Sequence, residues 1–219
     1  MNYEIDKAEV FRYLGIKGRP DTQTELLIEK CAKELSSVIR PKYIYRRFDL
    51  LHDEAGYSLT DCNTILSGKT VDDGFHDCNF CYIMAATLGH EADALIRKAQ
   101  VLDMVRAVVY DACATDLIEK VCDYAESEIS SLAASDGLYS GRRFSPGYGD
   151  LPLSLQKDIC HFLDTNRKIG LNLTDDYLLL PTKSVTAFIG IRPEPSSDKS
   201  NCKNGCQNCN MANHCMYKK

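Results

Sequence analysis

Residues 79 to 87, Asn-Phe-Cys-Tyr-Ile-Met-Ala-Ala-Thr, form a nearly continuous apolar run. A strand with one wet face alternates apolar and polar side chains, so an unbroken run reads as a strand buried on both faces. Leu88-Gly89 breaks it, and a second apolar strand, Val185 to Ile191, closes the fold. Alternation marks a further strand over 43–52, followed by a turn at Asp53 to Gly56, with short extended pieces near 57–59 and 64–66. Asp6 caps a short amphipathic helix whose apolar positions are Val10, Phe11 and Leu14, and Gly15 and Gly18-Arg-Pro20 stop it. A second helix is expected from Thr22 to Ile39, with Leu26, Leu27, Cys31, Leu35 and Val38 as its stripe and Pro41 beyond its end. A long helical region runs from about Glu91 to Ala134, its stripe including Leu102, Val105, Val109, Ile118, Cys122 and Ile129, with a kink near Gln100. Leu138 to Pro152 is an irregular stretch rich in Gly, Ser and Pro, and a helix follows from Leu153 to Asn166. After Pro193 the composition turns to Ser, Asn, Lys and Cys, which divides the chain into a core, 1–193, and a Cys-rich tail, 194–219.

A chain of 219 residues, 44% hydrophobic and 26% charged, can bury a sizeable core. Its net charge of −5, without a basic tail, argues against nucleic acid as the partner, since phosphate binding needs clustered Lys and Arg. The one basic stretch, Lys42 to Arg47, alternates with Tyr43, Tyr45 and Phe48 and reads as a solvated strand face. No apolar run is long enough to span a bilayer, and Met1 to Lys7 carries charges and no hydrophobic signal region, so a cytoplasmic location is expected. Eleven cysteines, an odd count, do not suggest a complete disulfide framework; in a reducing compartment they are core residues, metal ligands or redox groups.

Two constellations could bind a ligand. Arg143-Phe-Ser-Pro-Gly-Tyr148-Gly149-Asp150 places a guanidinium fork, suited to a carboxylate, five residues before a tyrosine in a Pro-Gly loop that lets backbone approach a ligand. On composition alone it is first a turn between elements. Asp116, Glu119, Asp123 and Glu126 share one face of the long helix by their spacing of three or four. Most of such a row is expected to be solvated, but Glu119, next to Ile118 at the border of the apolar stripe, could hold an ammonium group.

Taken together, Arg143-x-x-Pro146-Gly147-Tyr148, a following helix, Ile169-Gly-Leu-x-Leu-Thr-Asp-Asp and Pro181-x-Lys-Ser-Val-Thr-Ala resemble the activation domain of cobalamin-dependent methionine synthase. Ala86-Thr-Leu-Gly89 and Asp111-Ala-Cys-Ala resemble the shorter, stand-alone members of that family, and the similarity covers roughly residues 5 to 192. It implies an α+β fold, long helices packed on a bent, mainly antiparallel sheet. It also implies an S-adenosylmethionine site in which Arg143 grips the methionine carboxylate, Glu119 binds the amino group, and Ser145, Pro146, Gly147 and Tyr148 lie along the cofactor. The family's Thr-Glu-Ser is Thr174-Asp175-Asp176 here, and its Ser-His-Pro turn is replaced by Arg192-Pro-Glu-Pro195.

Cys202-x3-Cys206-x2-Cys209-x5-Cys215 places four thiols in a polar tail that has little else to bury, which suits tetrahedral zinc or an iron–sulfur cluster, with His214 as an alternative ligand. The first three match the Cys-x3-Cys-x2-Cys spacing of radical S-adenosylmethionine enzymes, but there the motif follows an early barrel strand and here almost no chain remains beyond it. Cys78 and Cys81 are expected to be core residues, as are Cys31, Cys113, Cys122 and Cys160.

The function implied by the resemblance is reactivation of methionine synthase: reductive methylation of cob(II)alamin, with the methyl group from S-adenosylmethionine, to restore methylcobalamin. The implied partners are the cobalamin-binding module of the synthase and, as electron source, a flavodoxin or ferredoxin. The chain would contribute binding and orientation and no catalytic acid or base. The alternatives are a non-catalytic binding or regulatory module with a structural zinc tail, and a reactivator of another corrinoid methyltransferase.

Overall fold

The computed structural model describes residues 3–195 apart from positions 19, 61 and 63. The tail cysteines Cys202, Cys206, Cys209 and Cys215, and the zinc or iron–sulfur expectation that rests on them, lie outside the described residues.

The central strand is the apolar run. β4 (Phe80–Thr87) lies between β1 (Lys42–Asp53) and β8 (Ser184–Arg192) in a six-stranded sheet whose pairings are all antiparallel. β2 (Gly56–Leu59) and β3 (Ile65–Leu66) extend one edge and β5 (Tyr139–Ser140) the other, giving the order β3-β2-β1-β4-β8-β5. The period of two sorts the side chains of β4 between two cores. Phe80, Met84 and Ala86 join a cluster with α1 (Lys7–Tyr13), α2 (Thr22–Val38), α4 (His90–Leu102) and α5 (Met104–Ser135). Cys81, Ile83 and Ala85 join a second cluster, with α3 (Lys69–Phe75), α6 (Leu155–Leu163) and α7 (Thr165–Ile169). β8 is sorted the same way, Ala187 and Ile189 to the first cluster and Phe188 to the second. A small separate hairpin, β6 (Asn172–Leu173) with β7 (Leu179–Leu180), precedes β8. The architecture is the α+β arrangement of helices on an antiparallel sheet that the sequence implied.

Three elements differ from the sequence reading. The long helical region is two helices, and the break is at Asp103, not near Gln100: Asp103 leaves the helical conformation (φ −160°, ψ 92°) and its carboxylate accepts the Arg106 N–H at 3.1 Å, capping α5. The corner leaves Leu102 and Val105 exposed instead of in the core. The helix expected over 153–166 begins at Leu155, ends at Leu163, and passes through Asp164 in a left-handed conformation into α7. Helix α3 has no counterpart in the sequence reading. It packs closely enough on the sheet that a Cβ on Gly190 of β8 would stand 2.6 Å from the Gly74 carbonyl oxygen.

Cys31, Cys81, Cys113 and Cys122 are buried, as the helix stripes and the strand indicated; Cys78 and Cys160 are half-buried. Burial pushes the Cys113 and Cys122 thiols up to about 12, which keeps them protonated and unreactive. Among the described residues, no group of three or more His, Cys, Asp or Glu could hold a metal ion, and no helix is long and apolar enough to cross a membrane.

Candidate functional site

A cleft of about 1510 Å³ opens between α1, the α4–α5 corner, α5, the start of β8 and the loop at 142–148. That is larger than the roughly 300–1,000 Å³ of an ordinary small-molecule site. Two ties fix its walls. The Asp6 N–H donates to Asp116 Oδ2 at 2.9 Å, which joins the start of α1 to α5. Lys183 Nζ, just before β8, lies 2.9 Å from both Asp111 Oδ1 and Thr115 Oγ1 on α5.

At the centre of the cleft is Arg143. Its Nη2 donates to Glu119 Oε2 at 2.7 Å and its Nη1 to Asp123 Oδ1 at 2.7 Å; Nη1 also donates to Glu126 Oε2. The three acids stand on successive turns of α5, so one guanidinium spans two turns of the helix. Burial alone would make the cation less favourable; the hydrogen bond it donates to Asp123 and the charges of Glu126 and Glu119 outweigh it and hold Arg143 firmly protonated.

The acidic row is therefore a solvated face only in part, with Asp123 exposed. Glu119 and Glu126 are partly buried against Arg143, and Asp116 is buried, 4% exposed, where desolvation raises its carboxyl above the usual range despite the Asp6 N–H and Lys120 Nζ at 3.9 Å. Asp123 and Glu126 carry the same helical spacing as Glu119, which made them visible as a row; what the spacing lacked was the arginine they share, placed by a loop well along the chain.

Of the other residues singled out in the sequence, Ser145, Pro146 and Tyr148 line the cleft with Glu119 and Arg143. Pro146 is buried and Tyr148 is 70% exposed, its ring presented at the cleft. Gly147, with φ 90°, turns the chain between them and is not part of the cleft wall. Seven carboxylates and four basic side chains line the cleft, so its potential is negative overall.

A family model described as vitamin B12 dependent methionine synthase, activation domain, matches residues 77–199. The chain belongs to that activation-domain family. The match takes in β4, the α4–α5 pair, the Arg143–Tyr148 loop and β8, and so every wall of the cleft except α1. The activation-domain fold is also found in a solved relative: the crystal structure of the MetH reactivation domain bound to AdoHcy superposes with a TM-score of 0.66, at 17% identity, over 88% of this chain and 75% of that one. No curated protein sequence matches the chain.

Proposed function

We propose that the cleft binds S-adenosylmethionine and presents its methyl group to a cobalamin carried by a partner module of methionine synthase, supporting the reductive methylation of cob(II)alamin to methylcobalamin. The observation that carries this reading is the Arg143–Glu119 pair inside an acidic cleft. An α-amino acid is a zwitterion, and a cation–carboxylate pair is its complement. When the ligand inserts, its carboxylate takes the guanidinium fork of Arg143 in a bidentate contact, and Glu119, released from the arginine, accepts the ligand ammonium. The exchange keeps every charge paired, so the site does not open an uncompensated ion on binding. Asp123 and Glu126 stay on Arg143 and keep it oriented.

The surplus of carboxylates suits a ligand that carries a further positive charge, as a sulfonium does. Ser145, Pro146 and Tyr148 wall the side of the cleft beside Arg143 and flank the remainder of the ligand. S-adenosylmethionine supplies a methyl group on a good leaving group, and this chain supplies alignment; no side chain here needs to act as acid or base. The volume of the cleft leaves room beyond a single small molecule, as required if a second reactant on a partner must reach the methyl group. The cobalamin-binding module of the synthase is the partner this family implies, a reduced flavodoxin or ferredoxin supplies the electron, and the Cys202, Cys206, Cys209 and Cys215 tail binds zinc or an iron–sulfur cluster.

Calorimetric titration with S-adenosylmethionine tests the reading. Wild type is expected to bind, Arg143→Ala to lose affinity roughly 10- to 100-fold, the scale of charge-assisted hydrogen bonds of about 1.5–3 kcal/mol, and Glu119→Gln to lose a smaller part. Equal binding by wild type and Arg143→Ala would remove the reading.

A further inference from the structure

The geometry points to helix α3 as the element that sets the ligand loop, with Asp150 as its clasp: a positioning residue for methyl-donor binding that touches no reactant. The inference rests on the proposed cleft function and adds to it a residue and a helix outside the cleft.

Helix α3 has little local reason to form. Its sequence, Lys-Thr-Val-Asp-Asp-Gly-Phe, contains a β-branched pair, two aspartates and a glycine, and Gly68 before it offers no capping side chain. The capping group comes from across the fold. Asp150 Oδ2 accepts the Lys69 N–H at 2.6 Å and Oδ1 the Thr70 N–H at 2.9 Å, while the Asp150 N–H reaches Thr70 Oγ1 at 3.4 Å. A carboxylate on the free N–H groups of a helix start is a charge-assisted contact favoured by the helix dipole. The Thr70 hydroxyl and N–H, then the Lys69 N–H, hold the Asp150 carboxyl down at about 2.

The other end of α3 holds the other end of the loop. A Cβ on Gly74 would stand 2.4 Å from the Phe144 ring, so the ring lies directly on the helix backbone. Phe144 is also bridged to β8, its N–H donating to Phe188 O at 3.0 Å and its carbonyl accepting the Phe188 N–H at 2.9 Å. Residues 144 and 150 are thus fixed to one helix. The intervening turn is internally bonded, Tyr148 N–H to Ser145 O at 3.2 Å and Gly147 N–H to Leu151 O at 2.9 Å. Gly149, with φ 57°, passes so close to Thr70 that a Cβ would be 2.4 Å from its hydroxyl. Tyr148 is largely solvent-exposed, so its place in the cleft is set by the backbone and not by packing of its ring. Arg143 adjoins the Phe144 anchor directly.

The test uses the full chain with Asp150→Ala, Asp150→Asn, and Ile28→Val, a mild core change in α2 on the opposite side of the sheet. Each is titrated with S-adenosylmethionine and melted, and each is also made in a Tyr148→Trp background to read the mobility of the loop by fluorescence anisotropy. Asp150→Ala is expected to weaken binding roughly 10- to 100-fold, the effect of about an ångström of misplacement, and to free the reporter indole. Asp150→Asn, which keeps an acceptor oxygen, is expected to recover most of both. Ile28→Val is expected to lower the melting temperature and leave binding and reporter unchanged. Wild-type affinity in Asp150→Ala, or an equal loss in Ile28→Val, overturns the inference. If the wild type fails to bind S-adenosylmethionine, the cleft reading falls separately, and the reporter still decides whether Asp150 holds the loop.

Discussion

Removing Arg143 should do more than remove a ligand contact, because in the free protein it neutralises three acids of one helix face. Its side chain is 22% exposed, against 26% for Glu126, 45% for Glu119 and 65% for Asp123. The Asp123 pair is close to an ordinary surface pair, about 0.5 kcal/mol, and the Glu119 pair slightly more. The Glu126 pair is shielded on both sides and stands nearer the buried regime, at about 1–2 kcal/mol. Arg143→Ala is therefore expected to cost about 2–3 kcal/mol, a fall in Tm of roughly 5–10 °C for a chain of this size, and to leave three carboxylates one turn apart along α5. The sign of a second change then depends on the first. Glu126→Gln should destabilise the wild type, by about 1–2 kcal/mol, yet stabilise Arg143→Ala by relieving like-charge repulsion. The Arg143→Ala penalty should also shrink in about 1 M salt. Urea unfolding of the four proteins of this cycle measures the coupling. Single effects that add within about 0.5 kcal/mol would show that the three contacts do not act as one charge cluster, and the exchange argued for ligand binding would lose its physical basis.

Three further outcomes can be measured on the same protein. Gly74→Ala drives a methyl group into the Phe144 ring and is expected to destabilise by roughly 1–3 kcal/mol in urea unfolding. Asp103→Ala removes the cap at the head of α5 and should cost about 1 kcal/mol, read as a drop in Tm. The Asp150 carboxyl, ordinarily 3.8, is held at about 2 in the fold, so its contribution is present above the ordinary value and is lost as pH falls through 2. An acid titration followed by circular dichroism should therefore show a steeper loss between pH 4 and 2 in wild type than in Asp150→Asn.

The sequence showed most clearly those elements whose pattern is set by their own residues. β4 was legible because both of its faces are buried, and an apolar run without alternation has few other readings in a chain of this composition. α1 was legible down to its cap, Asp6, whose carboxylate accepts the Ala8 N–H. Helix α3 was not, because its start is capped by a residue 80 positions away and its glycine is kept for the Phe144 ring; tertiary contacts overrule a local sequence that disfavours helix. The break at Asp103 was hidden by Val101, Leu102, Met104 and Val105, whose apolar character continued the stripe although all four are exposed. In the site, the Arg143–Tyr148 loop and Glu119 were singled out by residue type and spacing and given roles by the resemblance, and Arg143, Ser145, Pro146, Tyr148 and Glu119 line one cleft. The roles of Asp123 and Glu126 could not be read from spacing, since a row of acids on a helix looks the same with or without an arginine opposite.

The position of β8 in the sheet has a consequence for biosynthesis. The last strand among the described residues lies next to the central strand β4, and Phe144, at one end of the 144–150 loop, forms its backbone bonds to Phe188 of that strand. During translation the acids of α5 and the Arg143 loop leave the ribosome before the strand that fixes them. At about 5–20 residues per second, several seconds separate the synthesis of Tyr148 from that of Arg192. Through that interval the nascent chain carries the acidic helix and a loop that has its contacts to α3 but not its bridge to β8, and the wall of the cleft is completed when β8 pairs. A message truncated anywhere ahead of residue 184 would yield a chain that lacks Ser184, Val185 and Thr186 of the cleft wall and the Phe188 bridge to the loop.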